Sequence, residues 1–512
     1  GDAVTIANNP ILAGSAISFN NTVNGNSDLT LNSSGNIAFN GAVGNTTALG
    51  NLTANSSGTT TFNAVTANSL TTDAGGTTQV NGNITTTGIQ TYGDAVTIAN
   101  NPILSGSAIS FNNTVNGKSD LTLNSSGNIA FNGAVGNTTA LGNLTANSSG
   151  TTTFNAVTAN SLTTDAGGTT QLNSNVTTTS SQTYGDAVTI ANNPILAGSA
   201  ISFNNTVNGN SNLTVNSSGN IAFTGTVGNT TAFGNITANS SGTTALNAVN
   251  AQSLTTDAGG TTQLNANITT TSSQTYGDAV TIANNPILAG SAISFNNTVN
   301  GNSNLTLNSG TGNIGFNGGV GNVTALGNIT ANSSGTTTFN AVTANSLTTD
   351  AGGTTQLNAN ITTTGIQTYG DAVTIANNPI LSGSAISFNN TVNGNSNLTV
   401  NSSGNIAFTG AVGNTTALGN LTTNSSGTTA FNPVTAQSLT TDAGGTTQLN
   451  SNVTTTSSQT YGDAVTIANN PILAGSAISF NNTVNGNSNL TVNSSGNIAF
   501  TGTVGNTTAF GN

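Results

Sequence analysis

LTLNSSGNIAF begins at Leu29, and two later strings of the chain follow the same pattern: LTANSSGTTTF begins at Leu52 and LTTDAGGTTQV at Leu70. Each string alternates apolar and polar residues at its start and then passes through a Gly-containing stretch. Each ends on a bulky apolar residue, which is Phe39, Phe62 or Val80. Alternation with period 2 is typical of a half-buried β-strand, and Gly and Asn are typical of the turns between strands. The strings therefore predict short strands joined by turns.

A longer repeat contains these strings. The segment GDAVTIANNPIL occurs six times, at intervals of 92 residues except for one of 93, and the additional residue lies near Gly310, where NSSGNIAF becomes NSGTGNIGF. The repeats span residues 1–92, 93–184, 185–276, 277–369 and 370–461, followed by a partial repeat at 462–512. Because internal repeats of this kind are typical of solenoids, we predict one continuous solenoid over residues 1–512.

The spacing of the anchor residues predicts the size of a turn. Val4, Leu29, Leu52 and Leu70 precede Val96 of the second repeat at a mean spacing of 23 residues. A unit of this length suits one turn of a parallel β-solenoid, in which the turns above and below satisfy the backbone hydrogen bonds. We therefore predict an all-β parallel β-helix with about 23 residues per turn and four turns per 92-residue repeat.

Like residues are expected to stack along such a coil. We predict an inward aromatic stack of Phe19, Phe39 and Phe62, interrupted by Val80 every fourth turn. The predicted outward rows are Thr5, Thr30, Thr53 and Thr71, and Asn32, Asn55 and Asp73 with a break at Ala7. The NNP segment at Pro10 and its copies is predicted to form a corner, because Pro cannot donate a ladder hydrogen bond.

Composition limits the classes of function. Only 3% of the residues are charged; Lys118 is the one basic residue, and the 13 acidic residues are all Asp. One Lys cannot neutralise a phosphate backbone, and no apolar run approaches the roughly 20 residues of a membrane span, so we predict neither nucleic acid binding nor membrane insertion. Because His, Cys, Arg and Glu are missing, Ser and Thr have no general base. We predict that the chain is not an enzyme, with no catalytic, cofactor-binding or metal-binding residues and no cofactor.

Three sequence motifs bear on that prediction. GTGNIG at Gly310–Gly315 matches the dinucleotide fingerprint, but FNGGVGNVTAL after it does not predict the required helix. Asp2 and Asp73 recur in successive repeats; we predict solvated turn residues that cap their own backbone, and leave weak Ca²⁺ binding open. Asp28 and Asp73 are predicted on different turns, which excludes the paired carboxylates that glycoside hydrolysis needs.

Two further features allow more than one interpretation. Tyr92 and its copies would form a row that contacts glycans or neighbouring rods if exposed, but we favour burial of the ring at a corner. Asn-x-Ser/Thr sequences abound, among them Asn45-Thr46-Thr47, Asn51-Leu52-Thr53 and Asn83-Ile84-Thr85. They are sugar acceptors in a secretory pathway, although a composition rich in Asn and Thr produces many such matches by chance.

The phrase SLTTDAGGTTQVNGNITTTGIQTYGDAVTI, from Ser69 to Ile98, resembles the repeats of large bacterial filamentous-haemagglutinin-like surface proteins. Through the repeats the resemblance covers all 512 residues. It implies a right-handed parallel β-helix, export to the cell surface and a role as a fibrous adhesin. The family's amino-terminal secretion domain has no match in this sequence, so we expect the sequence to be a segment of a longer protein whose export route is open.

These observations lead to one leading expectation and one alternative. We expect the structural shaft of a secreted bacterial surface fibre or adhesin, extracellular and attached to the cell surface. We expect its partners to be further copies, bound end to end or laterally, and leave a host or cell-surface glycan open. The alternative is a solenoid surface that binds ice or glycan through outward Thr and Asn rows. Two parallel Thr rows would favour ice, and the second row here holds Asn, Asp or Ala.

Overall fold

Strands of two to eight residues form the regular structure, which the computed structural model describes over residues 1–512 without any helix. The strands of the first repeat are β1 (Val4–Thr5), β2 (Ile11–Gly14), β3 (Ile17–Phe19), β4 (Val23–Asn24), β5 (Leu29–Ser33), β6 (Ile37–Phe39), β7 (Leu49–Ser56), β8 (Thr59–Phe62), β9 (Val65–Thr72), β10 (Thr77–Val80), β11 (Ile84–Thr86) and β12 (Ile89–Tyr92). The second repeat has β13 (Ala95–Ile98), β14 (Ile103–Gly106), β15 (Ala108–Phe111), β16 (Val115–Asn116), β17 (Leu121–Ser125), β18 (Ile129–Phe131), β19 (Leu141–Ser148), β20 (Thr151–Phe154), β21 (Val157–Thr164), β22 (Thr169–Leu172), β23 (Val176–Thr178) and β24 (Ser181–Tyr184). The same order continues to β66 (Ile498–Phe500), so the all-β prediction is confirmed.

The period-2 pattern of the sequence places alternate side chains in the core. In β5, Leu29, Leu31 and Ser33 are buried, whereas Thr30 is half-buried and Asn32 is exposed. Successive side chains of a strand point to opposite faces, so one strand supplies both the core and the surface. The apolar residues of the repeated strings are therefore the inward residues, as predicted.

Parallel pairing links each strand to the turns on either side of it. On one face Val4 pairs with Val23, Val23 with Val43, Val43 with Val65, and Val65 with Ile84. The steps between these partners are 19, 20, 22 and 19 residues. The chain makes about 26 turns of roughly 19 residues each. The parallel β-solenoid is confirmed, with a turn shorter than the predicted 23 residues.

The shorter turn changes which anchors stack. Leu29, Leu52 and Leu70 pair in register as predicted. Val4, however, pairs with Val23 rather than Leu29, and Leu70 pairs with Gln90. The anchor spacing overestimated the turn because segments without a Leu-Thr string also fill places in the coil. The repeat consequently holds more than the predicted four turns.

One turn of the coil consists of three consecutive segments, which we call sides. Each side pairs with the side three places further along the chain, which lies on the same face one turn later. The first repeat contains fourteen sides, with the inward residues Val4, Leu12, Phe19, Val23, Leu31, Phe39, Val43, Ala54, Phe62, Val65, Leu70, Val80, Ile84 and Tyr92. Fourteen is not a multiple of three, so a repeat contains four full turns and two further sides. Each repeat therefore starts on a different face from the one before it.

The NNPIL segment shows this displacement within residues 1–260. Leu12, Leu104 and Leu196 occupy the same position in the first three repeats. Leu104 pairs with Ile84, and the pairing traces back from there to Val4. Leu196 pairs with Val176, and that pairing traces back to β3. Neither path reaches Leu12, so the three copies lie on three different faces.

Aromatic rings stack along the core, as the sequence predicts. The ring centroids of Phe19 and Phe39 are 5.1 Å apart, and those of Phe39 and Phe62 are 5.5 Å apart. Val80 pairs with Phe62 and ends the stack. Full burial of each such ring stabilises the fold by about 1.5–3 kcal/mol. The stack of three rings is confirmed. The prediction that Val80 merely interrupts it is wrong, because Val80 pairs next with Ile98, and the stack of Tyr92 and Phe111 lies on another side of the coil.

The NNP segment forms a corner, also as predicted. Asn8 and Asn9 have positive φ angles of 58° and 50°, a left-handed conformation that Asn tolerates better than most residues. Asn9 Oδ1 accepts a hydrogen bond from Asp28 N at 2.9 Å, which ties this corner to the next turn. β2 begins directly after Pro10.

Two compact units divide the chain, Gly1–Gly260 and Thr261–Asn512, and each is a three-sided coil of parallel strands. In the second unit the additional residue of repeat 277–369 lies in β41 (Leu305–Gly310). The register between β41 and β43 (Leu326–Ser333) shifts between Asn308 and Gly310. Gly310 has a φ of +59°, so Gly permits the bulge that absorbs the insertion.

Candidate functional surface

A shallow polar groove recurs on the surface of the repeats. In the first unit its volume is about 450 Å³ between Thr86 and Asp165, and about 490 Å³ one repeat later, between Thr178 and Asp257. In the second unit a copy of about 650 Å³ begins at Thr455. The first copy is lined by Thr86, Thr87, Ser105, Gly106, Ser107, Asn124, Ser125, Ser126, Asn147, Ser148, Ser149 and Asp165. The two copies in the first unit thus present neutral hydroxyl and amide groups with a single carboxylate, and the copy at Thr455 has no carboxylate.

Serine hydroxyls of this groove hydrogen-bond the backbone of adjacent turns. Ser125 Oγ donates to Ser107 O at 3.2 Å, and Ser148 Oγ donates to Gly127 O at 2.7 Å. No His or Cys exists in the chain to activate a hydroxyl as a nucleophile. The groove can exchange hydrogen bonds with a neutral polar molecule.

Asp94, the second-repeat copy of Asp2, is a buried carboxylate. Its Oδ1 accepts a hydrogen bond from Gly76 N at 2.8 Å, and its Oδ2 accepts one from Thr78 Oγ1 at 3.0 Å. Burial raises the pKa of Asp94, and these two hydrogen bonds oppose the rise. The prediction of a solvated turn residue that caps its own backbone is wrong for Asp94, because its carboxylate is buried and accepts its backbone hydrogen bond from Gly76, 18 residues earlier on another turn.

Asp73 and Asp28 also bind backbone, in each case that of a neighbouring turn. Asp73 Oδ1 accepts from Ser56 N at 2.9 Å, and Asp28 Oδ1 accepts from Asn51 N at 2.7 Å. Asp28 and Asp73 lie on different turns, as predicted, because Leu29 reaches Leu70 only through the intervening turn. No three acidic residues come together in a way that could hold a metal ion.

Tyr92 is fully buried in the core. Its ring centroid lies 4.9 Å from that of Phe111, and its hydroxyl donates to Gln90 Oε1 at 2.9 Å. Gln90 Nε2 in turn donates to Ser105 O at 2.8 Å. Desolvation raises the pKa of the Tyr92 hydroxyl. The favoured prediction of burial is confirmed, and the exposed aromatic row is wrong. The alternation in Gln90-Thr91-Tyr92 was the signal that placed both side chains inward.

The remaining sequence motifs have simple structural contexts. Gly310 ends β41, and the strand β42 (Ile314–Phe316) follows it where a dinucleotide site needs a helix. The match to the dinucleotide fingerprint is therefore incidental. Lys118 is exposed in the turn between β16 and β17.

The outward Thr row is shorter than predicted. Thr30, Thr53 and Thr71 pair in register, and Thr91 extends the row by one turn before Ser110 interrupts it. The prediction that Thr5 joins this row is wrong, because Thr5 pairs with Asn24. The row ends because the repeat is displaced by one face, which brings a different segment onto the surface.

The neighbouring Asn row is confirmed over its first step. Asn55 Nδ2 donates to Asn32 Oδ1 at 2.8 Å. Asp73 follows Thr72, the last residue of β9, and turns its carboxylate toward Ser56 N instead of continuing the ladder. Amide ladders of this kind stabilise stacked turns in cross-β structures.

No family model, curated protein or solved structure matches this chain. The resemblance to filamentous-haemagglutinin-like repeats accordingly stays a prediction. The structure contains no apolar helix of the length that a bilayer crossing requires.

Proposed function

We propose that the chain is the non-enzymatic shaft of a secreted bacterial surface fibre or adhesin, and that its stacked turns give the fibre length and stiffness. The observation that carries this proposal is the parallel register, which sets like residues on like residues from turn to turn. Phe19, Phe39 and Phe62 in the core and Asn32 with Asn55 on the surface are examples.

The register suits a shaft because each turn serves as the template for the next. Strand β5 pairs with β2 on one side and with β7 on the other, so its backbone groups are satisfied without a partner molecule. Stacked like charges would repel one another along such a coil. A composition with 3% charged residues limits that repulsion, so further repeats extend the coil at little electrostatic cost.

The displacement of each repeat by one face also favours a shaft over a one-sided receptor. Within the first unit the copies of NNPIL lie on three different faces. A partner approaching from any direction meets the same residues. This supports end-to-end or lateral association with further copies at the cell surface, which we include in the proposal.

Deletion and duplication of one repeat test the proposal. Each repeat contains four turns and two sides, which corresponds to about 22 Å at about 4.8 Å per turn. Deleting residues 93–184 is expected to shorten the particle by that length in electron micrographs, and duplicating them to lengthen it equally. The matched control deletes residues 93–138, which is half a repeat. This deletion joins sides that are not neighbours in the intact coil, so it is expected to disturb folding. A particle whose length does not follow the repeat number would contradict the proposal.

Glycan contact is the second candidate function, and the recurrent Ser/Thr/Asn groove favours it. Neutral hydroxyl and amide groups match the hydrogen-bonding groups of sugars. The short single Thr row, from Thr30 to Thr91, offers no support for ice binding. Binding of the full chain to a glycan array tests this candidate function. Loss of that binding when Ser126 and Ser149 are replaced by the bulkier Gln would assign the activity to the groove.

A further inference from the structure

Six Asn-x-Ser/Thr sequences occur in the first repeat, and the structure separates one of them from the other five. Their Asn residues are Asn20, Asn32, Asn45, Asn51, Asn55 and Asn83. The side chains of five take part in hydrogen bonds between turns. Four bonds hold these five side chains, because Asn32 and Asn55 share one: Asn40 Nδ2 donates to Asn20 Oδ1, Asn55 Nδ2 to Asn32 Oδ1, Asn68 Nδ2 to Asn51 Oδ1, and Ile103 N to Asn83 Oδ1.

Asn45 is the exception. It lies outside the strands, between Val43 and β7, and residues 45–48 are all exposed. Its side chain makes no hydrogen bond, in contrast to Asn51 and Asn55, which lie within the paired strand β7. Asn-x-Ser/Thr acceptors belong to surface loops of secreted proteins, and Asn45 alone among the six combines an exposed loop with a side chain that no hydrogen bond holds in place.

The loop that carries Asn45 is held firmly from below. Asn24 Oδ1 accepts hydrogen bonds from Thr46 N at 3.0 Å and from Thr47 N at 3.3 Å. Gly44 precedes the loop with a φ of +68°, and a Cβ there would lie 2.0 Å from Thr66 O. The chain therefore leaves the coil at a fixed point and presents Asn45 outward.

All six copies of the loop keep the acceptor sequence and the free side chain. The exposed Asn residues are Asn45, Asn137, Asn229, Asn322, Asn414 and Asn506. In the fourth copy Val323 replaces the middle Thr and is 82% exposed, yet Asn322 and Thr324 are kept. The middle position is the one that the acceptor sequence leaves free.

We propose that this loop is a site of N-glycosylation, with Asn45 and its five copies as the acceptors. The donor is a sugar activated as a diphosphate ester. Asn45 Nδ2 forms a bond to the anomeric carbon, the bond from that carbon to the diphosphate oxygen breaks, and the amide proton leaves with the diphosphate. The assignment goes beyond the shaft function and does not depend on it.

The displacement of the repeats gives these sites a regular distribution. Val43, Val135 and Val227 precede the first three copies of the loop and lie on three different faces of the first unit. Sugars at successive loops would therefore project from all three faces of the coil.

The test uses the folded full chain, a soluble Asn-glycosyltransferase and UDP-glucose. Intact mass is expected to rise by as many as six hexoses, one for each loop. Because Lys118 is the only tryptic site, an Asp-directed protease and tandem mass spectrometry would locate them. Modification of Asn51 and Asn55 in the folded chain is expected to be about tenfold slower or more, since both lie in the paired strand β7 and their side chains are held by hydrogen bonds between turns.

Two variants and two peptides complete the design. Replacing Thr47 and its copies by Ala removes the acceptor sequence but keeps the backbone N–H that binds Asn24, and is expected to abolish labelling. Replacing Thr46 and its copies by Ala is the matched control and is expected to leave labelling intact. Synthetic peptides covering residues 43–49 and 49–57 show that the transferase accepts both sequences when free. Labelling of the loop peptide without labelling of the folded loop, or equal rates at Asn45 and Asn51 in the folded chain, would overturn the assignment.

Discussion

Two columns of stacked side chains in the core share the same turn-to-turn register but differ in the contacts that their side chains require. The aromatic column is Tyr92, Phe111, Phe131 and Phe154, with centroid distances of 4.9, 5.0 and 5.3 Å. The threonine column is Ile37, Thr60, Thr78 and Val96, which pair in register and are all buried. A buried aromatic ring needs only packing contacts, which the neighbouring rings of the column supply. A buried hydroxyl needs a hydrogen-bond partner in addition to packing contacts. Stacking alone therefore completes the first column but not the second.

Thr60 and Thr78 show the difference within one column. Thr78 Oγ1 donates to Asp94 Oδ2 at 3.0 Å, but Thr60 Oγ1 has no partner. The register gives Gly76 the place relative to Thr60 that Asp94 has relative to Thr78. A Cβ at Gly76 would lie 2.3 Å from Ser56 O, so this turn is too tight to supply a carboxylate. A tight turn at one level thus leaves a hydroxyl unsatisfied at the level beneath it.

Replacing Phe131 by Ala is expected to have the largest effect on this comparison. It removes the ring between Phe111 and Phe154 and leaves a cavity, which destabilises the fold by about 3–5 kcal/mol. Chemical denaturation monitored by circular dichroism measures the loss. Thr153→Ala, at the outward neighbour of Phe154, is the control and is expected to change stability by less than about 0.5 kcal/mol. A loss at Phe131 as small as that of the control would mean that the aromatic column does not stabilise the coil.

Replacing Thr78 by Val is expected to destabilise the chain by about 1.5–3 kcal/mol, because a buried carboxylate loses a hydroxyl donor. Thermal unfolding of Thr78→Val, of Asp94→Ala and of the double variant measures the coupling energy between the two side chains. The second change is expected to cost less in the Thr78→Val background than alone, since the two groups serve each other. Fully additive losses would contradict the contact.

The pH dependence of stability is expected to run opposite to ordinary acid denaturation. Burial raises the pKa of Asp94, Asp186, Asp371 and Asp463 in the folded chain. A carboxyl whose folded pKa is raised contributes stability that is fully present below its unfolded pKa of about 4 and is lost as the pH rises through the folded value. Thermal midpoints measured from about pH 3 to about pH 7 are therefore expected to be highest at the acid end.

A matched pair of variants separates this effect from net charge. Asn at the four buried positions is expected to flatten the profile. Asp28→Asn and Asp120→Asn remove charge from half-buried positions and are expected to leave its slope largely intact, and Asn212 stands at the same position in the third repeat. A chain that loses stability steadily toward acid would contradict the effect of the buried carboxylates.

The sequence predicted much of the fold but not the arrangement of its repeats. Alternation in Leu29–Ser33 predicted which residues face inward, and the spacing of Phe19, Phe39 and Phe62 predicted the stack, because both depend on local pattern. The length of a turn is the number of residues in its three sides and three corners. Similarity between the repeated strings gives no information on that number. Burial of Asp94 also escaped prediction, because its donors come from residues 16 and 18 positions earlier.

The smallest expected effect is the most specific test of the contrast between Thr60 and Thr78, because it stabilises the chain instead of destabilising it. Replacing Thr60 by Val exchanges a buried hydroxyl without a partner for a methyl group of similar size, and is expected to stabilise the chain by about 1 kcal/mol. Thr152, Thr244, Thr337 and Thr429 hold the same position and also lack a partner, so the variant with all five changes is expected to raise the thermal midpoint further. Stability in a repeat protein is approximately a sum over units, which makes the small gain measurable. Thr78→Val is the matched control, with the same change one turn along the same column. If both replacements shifted stability in the same direction, the contrast between a satisfied and an unsatisfied hydroxyl would not explain this column.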